Sequence, residues 1–352
     1  RIWPAENRSM SDAFVHDGAL LACHEMLLGG VTTINDMYFF PEATARAAMT
    51  LGMRASVGIM MIDFPSVYGS GPDDYLAKGV RLRDSLRDEP LISFTVSPHA
   101  PYTVSDESFV KALALAEELQ LPIHLHVHET GFEVDDAVRQ HNERPIARLA
   151  RLGLLGPQLI AVHSVHLNAE EIELFARHKV SVAHCPHSNL KLGSGLAPIS
   201  EMLDSGINLG IGTDGSASNN QLNLLQETRT AALLAKGKSH NAAAFNAHQA
   251  LHAMTMGGAI ALGKEQEIGS IKTGKQADLV LINMNDPALK PVYDPISQLI
   301  YAAGKSNISD VWIAGQHVVH RQQLVGSAGA AAFSSVVSRI PVWQNEISDA
   351  GH

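Results

Sequence analysis

Polar and apolar positions alternate strictly across Ile123-His124-Leu125-His126-Val127-His128. A period of two marks a strand, with three apolar side chains on one face and three imidazoles on the other. A soluble chain gains little from a strand face of histidines unless that face meets water, a packed polar network or a metal. Glu129 follows directly and adds a carboxylate at the strand end.

The same patterns predict alternating strands and helices along the rest of the chain. Residues 1–30 read as helical, with an apolar run from Ala19 to Leu28 stopped by Gly29-Gly30. Residues 31–36 predict a strand, 41–51 a helix closed by Gly52, and 54–61 a second strand. A loop rich in Gly, Pro and Asp (63–74) leads to a helix ending near Arg87, and 91–96 is a strand. Ser105 caps the next helix, whose expected buried stripe is Phe109, Leu113, Ala116 and Leu119. After the histidine strand, further strands are expected at 159–163, 180–184 and 207–214, and Asn168 with Glu171 forms a capping box for a helix over 169–177.

Seven strands thus alternate with helices, several of them apolar on both faces, as in a parallel sheet covered by helices. A doubly wound sheet and a (β/α) barrel both meet that description. His99, Glu129, His163 and Asp214 fall at or just past the C-terminal ends of four separate strands. A barrel converges those ends on one mouth, whereas an open sheet spreads them along an edge. The expected fold class is therefore α/β, a (β/α)8 TIM-type barrel over residues 1–267, in which seven of the eight strands are read. A turn into a strand at 268–282 and a hairpin around Ala314-Gly315 predict a small C-terminal β-sandwich domain over 268–326. Residues 327–352 form a tail, read as a docked terminal helix.

Composition narrows the function classes. A length of 352 residues suits a large barrel with an appended domain. The net charge of −10 argues against nucleic acid or an anionic membrane as partner. Cys23 and Cys185 are the two cysteines, with no CxxC, which excludes a disulfide framework or thiolate zinc site and fits a reducing cytoplasm. No apolar run approaches the length of a membrane span. The unusual count is 18 histidines, so their placement carries the argument.

A hydrolytic metal site needs neutral imidazole or carboxylate ligands and an open position for water. His126 and Asp214 are the expected ligands. Asp214 lies between Gly212-Thr213 and Gly215-Ser216, where backbone can approach closely. Glu129, near the metal but offset from it, suits a general acid and base. His163 would hydrogen-bond the attacking water or the developing alkoxide. His184 and His187 flank Cys185-Pro186 and are assigned a structural role beside the Ser188–Lys191 loop. HExxH, Walker A and GxSxG motifs are absent. The strand ending at His99 offers no Lys to bridge two metals, so one metal is expected.

Six segments together resemble the amidohydrolase superfamily, in its nucleoside deaminase and triazine hydrolase branch. They are Ile2-Trp3-Pro4-Ala5-Glu6, Ser97-Pro98-His99-Ala100-Pro101-Tyr102, the His124–Thr130 strand end, Val162-His163-Ser164-Val165-His166-Leu167, His184-Cys185-Pro186-His187-Ser188-Asn189-Leu190-Lys191-Leu192, and Gly212-Thr213-Asp214-Gly215. Residues 269–278 match that family's return to its small β domain. Within the branch the chain most resembles 5-methylthioadenosine/S-adenosylhomocysteine deaminases.

The resemblance implies that His126 and Asp214 bind the metal and Glu129 shuttles the proton and meets the purine. It implies that His163 assists water attack, and that His99 and Glu6 contact substrate, Glu6 at the ribose hydroxyls. It implies one divalent metal, Zn2+ ahead of Fe2+ and Mn2+, a nucleoside substrate, a homodimer and a cytoplasmic enzyme. The sister activities are guanine or 8-oxoguanine deamination and triazine dechlorination. The family's HxH ligand pair, at the end of its first barrel strand, has no counterpart before Glu6, so the resemblance implies that the chain lacks an N-terminal segment and the barrel its first strand. That departure leaves an inactive fragment or a binding-only protein as the rival of a different class.

Overall fold

The computed structural model of the protein describes residues 9–349. Helix α1 (Asp12–Leu28) starts where the Ser11 hydroxyl accepts the Phe14 N–H at 3.2 Å and stops at Gly29. Strand β1 (Thr33–Asp36) follows, then α2 (Pro41–Leu51), β2 (Arg54–Met61), α3 (Pro72–Ser85) and β3 (Ile92–Pro98). Next come α4 (Asp106–Leu119), β4 (Ile123–Val127), α5 (Gly131–His141), α6 (Pro145–Arg151) and β5 (Leu159–His163). The run continues through α7 (Ala169–His178), β6 (Ser181–His184), α8 (Pro186–Lys191), α9 (Ile199–Asp204) and β7 (Asn208–Ile211). Helix α10 (Leu224–Ser239) is followed by α11, which begins as Ala247–His252 and passes through a π turn, Ala253–Gly257.

Strands β1 to β7 form one parallel sheet in the order of the chain. A doubly wound sheet reverses its strand order at a switch point. Unbroken succession is instead the winding of a barrel, and the sheet curls as a half-barrel matching the TIM-type expectation. Among the described residues it holds seven strands, and β1 and β7 pair on one side each.

One face of the sheet is apolar. Ile123, Leu125 and Val127 are fully buried and pack with Phe109, Ala112 and Ala116 of α4. The buried stripe of α4 therefore runs through Ala112, with Leu113 half-buried. The other face is polar: Thr95 and Ser97 are fully buried and share a 3.0 Å hydroxyl contact. The π turn lies against β7 so closely that a Cβ on Gly257 would sit 1.9 Å from the Leu209 carbonyl oxygen. Only glycine permits that backbone approach.

After α11, β8 (Leu279–Ile282), α12 (Pro295–Tyr301), β9 (Ile308–Ile313), β10 (Gln316–His320) and β11 (Gln323–Leu324) build the second unit. Its strands form a single antiparallel sheet in the order β11-β10-β9-β8. Ala314 and Gly315, with φ of 48° and 80°, make the two-residue β9–β10 turn, the left-handed pair such hairpins need. Ile308, Val311, Ile313, Val318 and Val319 pack into one core with α1, α2, β2 and β3. Helix α13 (Ser327–Asp349) docks back on α1.

Candidate active site

Strand β4 aims His126 into the mouth of the half-barrel. Its Nδ1–H donates to the His99 carbonyl at 2.9 Å, which leaves Nε2 with a free lone pair. Burial lowers the pKa of His126, and His163 beside it adds to that, so the ring is neutral. The strand ends one residue later. His128 takes a left-handed φ of 53° and turns its fully buried ring toward Glu171, 3.6 Å away. The three-histidine face expected from alternation is therefore a two-histidine face, His124 and His126.

Glu133 makes this turn. Its two carboxylate oxygens accept the N–H groups of His128 and Glu129 at 3.0 and 2.9 Å, while Thr130 caps α5 by accepting the Glu133 N–H at 3.1 Å. Glu129 is thereby pointed at His163, whose Nε2 lies 3.8 Å from Glu129 Oε2. Burial raises the Glu129 pKa, with His126 opposing and Asp214 assisting.

Alternation along β5 would aim His163 at the helices with Leu159 and Ala161. Its φ of 69° breaks that alternation, and the ring instead stacks on His126 with centroids 5.5 Å apart. Asn189 Oδ1 accepts the His163 Nδ1–H at 2.9 Å, which again leaves Nε2 facing the mouth. Burial lowers the His163 pKa as well. Asp214 also has positive φ, 59°. Non-glycine residues in this region cluster where function over-determines the backbone. The Asp214 carboxylate accepts from the Ser188 hydroxyl and the Gly215 N–H, both at 2.6 Å.

His99 sits just past β3 with its centroid 5.2 Å from His126, and its Nδ1 lies 2.9 Å from the Thr103 hydroxyl. Burial and the neighbouring His126 bring its pKa down to about 3. It is a neutral hydrogen-bonding group at ordinary pH. Glu6, the expected ribose contact, lies outside the described residues.

The segment expected as a loop at 188–191 is helix α8, opened by Pro186 in its first turn. It carries both Ser188 and Asn189, so one short helix orients Asp214 and His163 together. His187 does have a structural place: Glu227 of α10, almost fully buried, accepts its Nδ1–H at 2.5 Å and its backbone N–H at 3.1 Å. Asn219 donates to Glu227 Oε1 at 2.5 Å and to the Thr213 carbonyl at 2.6 Å, which ties the loop after β7 to the same carboxylate. Sequence reasoning missed Glu133, Ser188, Asn189, Asn219 and Glu227. Thr130-x-x-Glu133 carried a legible signal, the capping-box spacing. Glu227 carried none, being a single acid 40 residues from its partner.

The donor chemistry of the mouth fits a divalent cation. His126 offers a neutral imidazole nitrogen, the ligating form, and Asp214 a carboxylate whose oxygens keep spare lone pairs. Among the described residues no three ligand atoms of the mouth lie within 4.8 Å of one another. His126 and Asp214 are the two groups of the mouth whose chemistry could hold such a cation.

A family model described as the amidohydrolase family matches residues 3–318. A 5-methylthioadenosine/S-adenosylhomocysteine deaminase of Teredinibacter turnerae is 44% identical over 323 residues, covering 92% of this chain and 73% of that protein. One from Thermodesulfovibrio yellowstonii is 46% identical over 318 residues, 90% of this chain and 72% of that protein. Among solved structures, an adenosine deaminase from Xanthomonas campestris with bound zinc superposes with a TM-score of 0.95 at 46% identity, over 99% of this chain and 79% of that one. An atrazine chlorohydrolase from Arthrobacter aurescens in complex with zinc gives 0.87 at 27% identity, over 95% and 78%.

Proposed function

The chain belongs to the amidohydrolase family, and from that premise we propose that it hydrolyses the exocyclic C–N bond of adenine nucleosides. S-adenosylhomocysteine, 5′-methylthioadenosine and adenosine are its substrates, and the products are the inosine analogue and ammonia. It is a hydrolase acting on C–N bonds, as its curated relatives are. The observation that carries the assignment to this mouth is the meeting of Glu129 with His163 at 3.8 Å, where His126 and Asp214 both act on the Glu129 carboxyl.

Glu129 is the proton carrier. A water oxygen adds to the amino-bearing ring carbon while Glu129 takes a water proton and hands it to the adjacent ring nitrogen. Glu129 then moves the second proton from the added oxygen to the amino group, which leaves as ammonia while the carbonyl forms. A carboxyl whose pKa burial has raised holds a proton long enough to do this. His163, fixed by Asn189, hydrogen-bonds the attacking oxygen, and Asp214 orients it from the opposite strand end. His99 offers a neutral donor or acceptor to the substrate. His126 and Asp214 would hold a divalent cation, zinc ahead of Fe2+ and Mn2+. When bound, it would supply Lewis acidity that lowers the pKa of a water it held, toward about 7.

A substrate panel tests the reading. Ammonia release should be far faster from adenosine, S-adenosylhomocysteine and 5′-methylthioadenosine than from guanine, with no chloride released from a chlorotriazine. Preference for guanine or for the triazine would replace it with a sister activity.

A further inference from the structure

We propose that Asp310, His317 and His320 form a second cation site, for a divalent transition ion of the zinc class, on the outer face of the small sheet. The site is independent of the mouth and of the deaminase reading. Asp310 lies on β9 and both histidines on β10. Side chains three apart on a regular strand point to opposite faces. Here the β9–β10 register shifts between His317 and Val319. A bulge of this kind inserts one extra residue and re-aims the side chains after it. Both rings consequently face Asp310: His317 Nε2 is 3.0 Å and His320 Nδ1 2.6 Å from the same oxygen, Oδ1.

The three ligand atoms lie within 4.8 Å of one another, the one such grouping among the described residues. Two donors bound to one zinc at about 2.0–2.2 Å sit roughly 3–4 Å apart, so a cation needs only small side-chain shifts. The frame is held on two sides. Asp310 is largely covered, 9% exposed, and accepts from both rings at once. His317 is stacked on Trp312 with ring centroids 4.5 Å apart and 11° between planes. Without a cation, two imidazole N–H groups share a single carboxylate oxygen. With one, that oxygen and both nitrogens become ligands, and each neutral ring keeps its proton on its other nitrogen. The His320 side chain is 53% exposed, so water completes the shell and the ion exchanges freely. Two imidazoles and one carboxylate suit zinc, nickel, cobalt and copper over magnesium or calcium. Bound there, the ion clips the β9–β10 hairpin shut.

The test is a cobalt titration of the full, metal-stripped chain, read by visible absorption and by ions bound per chain. Wild type should take up one equivalent more than the His317→Ala/His320→Ala variant, and ammonia release should be equal in the two. Quenching of Trp312 fluorescence by Cu2+ gives a second reading. It should persist in His126→Ala, which alters only the mouth, and vanish in His320→Gln, a single change at an exposed side chain that leaves the sheet folded. Equal cobalt uptake by wild type and the double variant, or undiminished quenching in His320→Gln, would overturn the site.

Discussion

At the scale of single residues, the groups of the mouth are held by neighbours behind them. Ser188 and Asn189 hold Asp214 and His163 by one hydrogen bond each, and Glu133 holds the backbone that aims Glu129. Partners of this kind fix the tautomer and direction of the groups they touch, and their removal costs on the order of 10–100-fold in activity or metal affinity. Ser188→Ala and Asn189→Ala should each lower kcat/KM by about that range while leaving the fold intact by circular dichroism. Rates within twofold of wild type would remove these residues from the account. Convergence was legible in the sequence for Glu129, His163, Asp214 and His99, because each was expected at or just past a strand end, and for His126 because it lies on the alternating polar face of β4. How they are aimed was not. Left-handed backbone at His128, His163 and Asp214 breaks the alternation from which direction is read, and tertiary contacts from α8 and α5 set it.

At the scale of elements, periodicity and caps located nearly every helix and strand of the half-barrel. The Asn168–Glu171 capping box, Gly52 after α2 and the Ala314-Gly315 turn appear as expected, because each depends on local chemistry alone. The terminal helix α13 needed more than local chemistry. It is held to α1 by Asp17, whose carboxylate accepts from Arg339 at 2.7 and 2.5 Å and from Trp343 Nε1 at 2.9 Å. Burial alone would raise the Asp17 pKa, but the Arg339 and Trp343 donors outweigh it and hold it below the ordinary 3.8. A carboxyl with a depressed folded pKa stabilises the fold above its unfolded pKa and loses that contribution as pH falls through the folded value. Asp17→Asn should therefore cost about 1–3 kcal/mol near neutral pH, and its gap to wild type should be smaller at a pH below the ordinary 3.8. Urea unfolding at the two pH values reads this directly. A gap that stays constant would detach the helix from that carboxylate.

At the scale of the whole molecule, the half-barrel and the small sheet share a core, and one buried ion pair fastens them. Arg54, at the start of β2, donates to Asp278 from Nε at 3.0 Å and from Nη2 at 2.9 Å, with both side chains about 5% exposed or less. Asp278 also accepts the Ala314 N–H at 2.7 Å, so the hairpin turn joins the same contact. Removing one partner strands a buried charge and typically costs about 3–5 kcal/mol, whereas an apolar replacement of both is close to neutral. Arg54→Met alone should be strongly destabilised and Arg54→Met/Asp278→Leu largely restored, as measured by chemical denaturation. A double variant no more stable than the single would show that the pair does not carry the junction. This pairing spans 224 positions and had no signature in the sequence. The barrel winding did have one, since four polar strand ends required a common mouth.

The proposed deamination stands or falls with Glu129 as the proton carrier at that mouth. The most direct test compares wild type and Glu129→Gln for ammonia released from S-adenosylhomocysteine, with metal content measured on the same samples. Glutamine keeps the shape of the side chain and cannot carry a proton. Turnover should fall by roughly 10²–10⁴-fold while bound metal is unchanged. Turnover close to wild type in Glu129→Gln, at equal metal content, would contradict it.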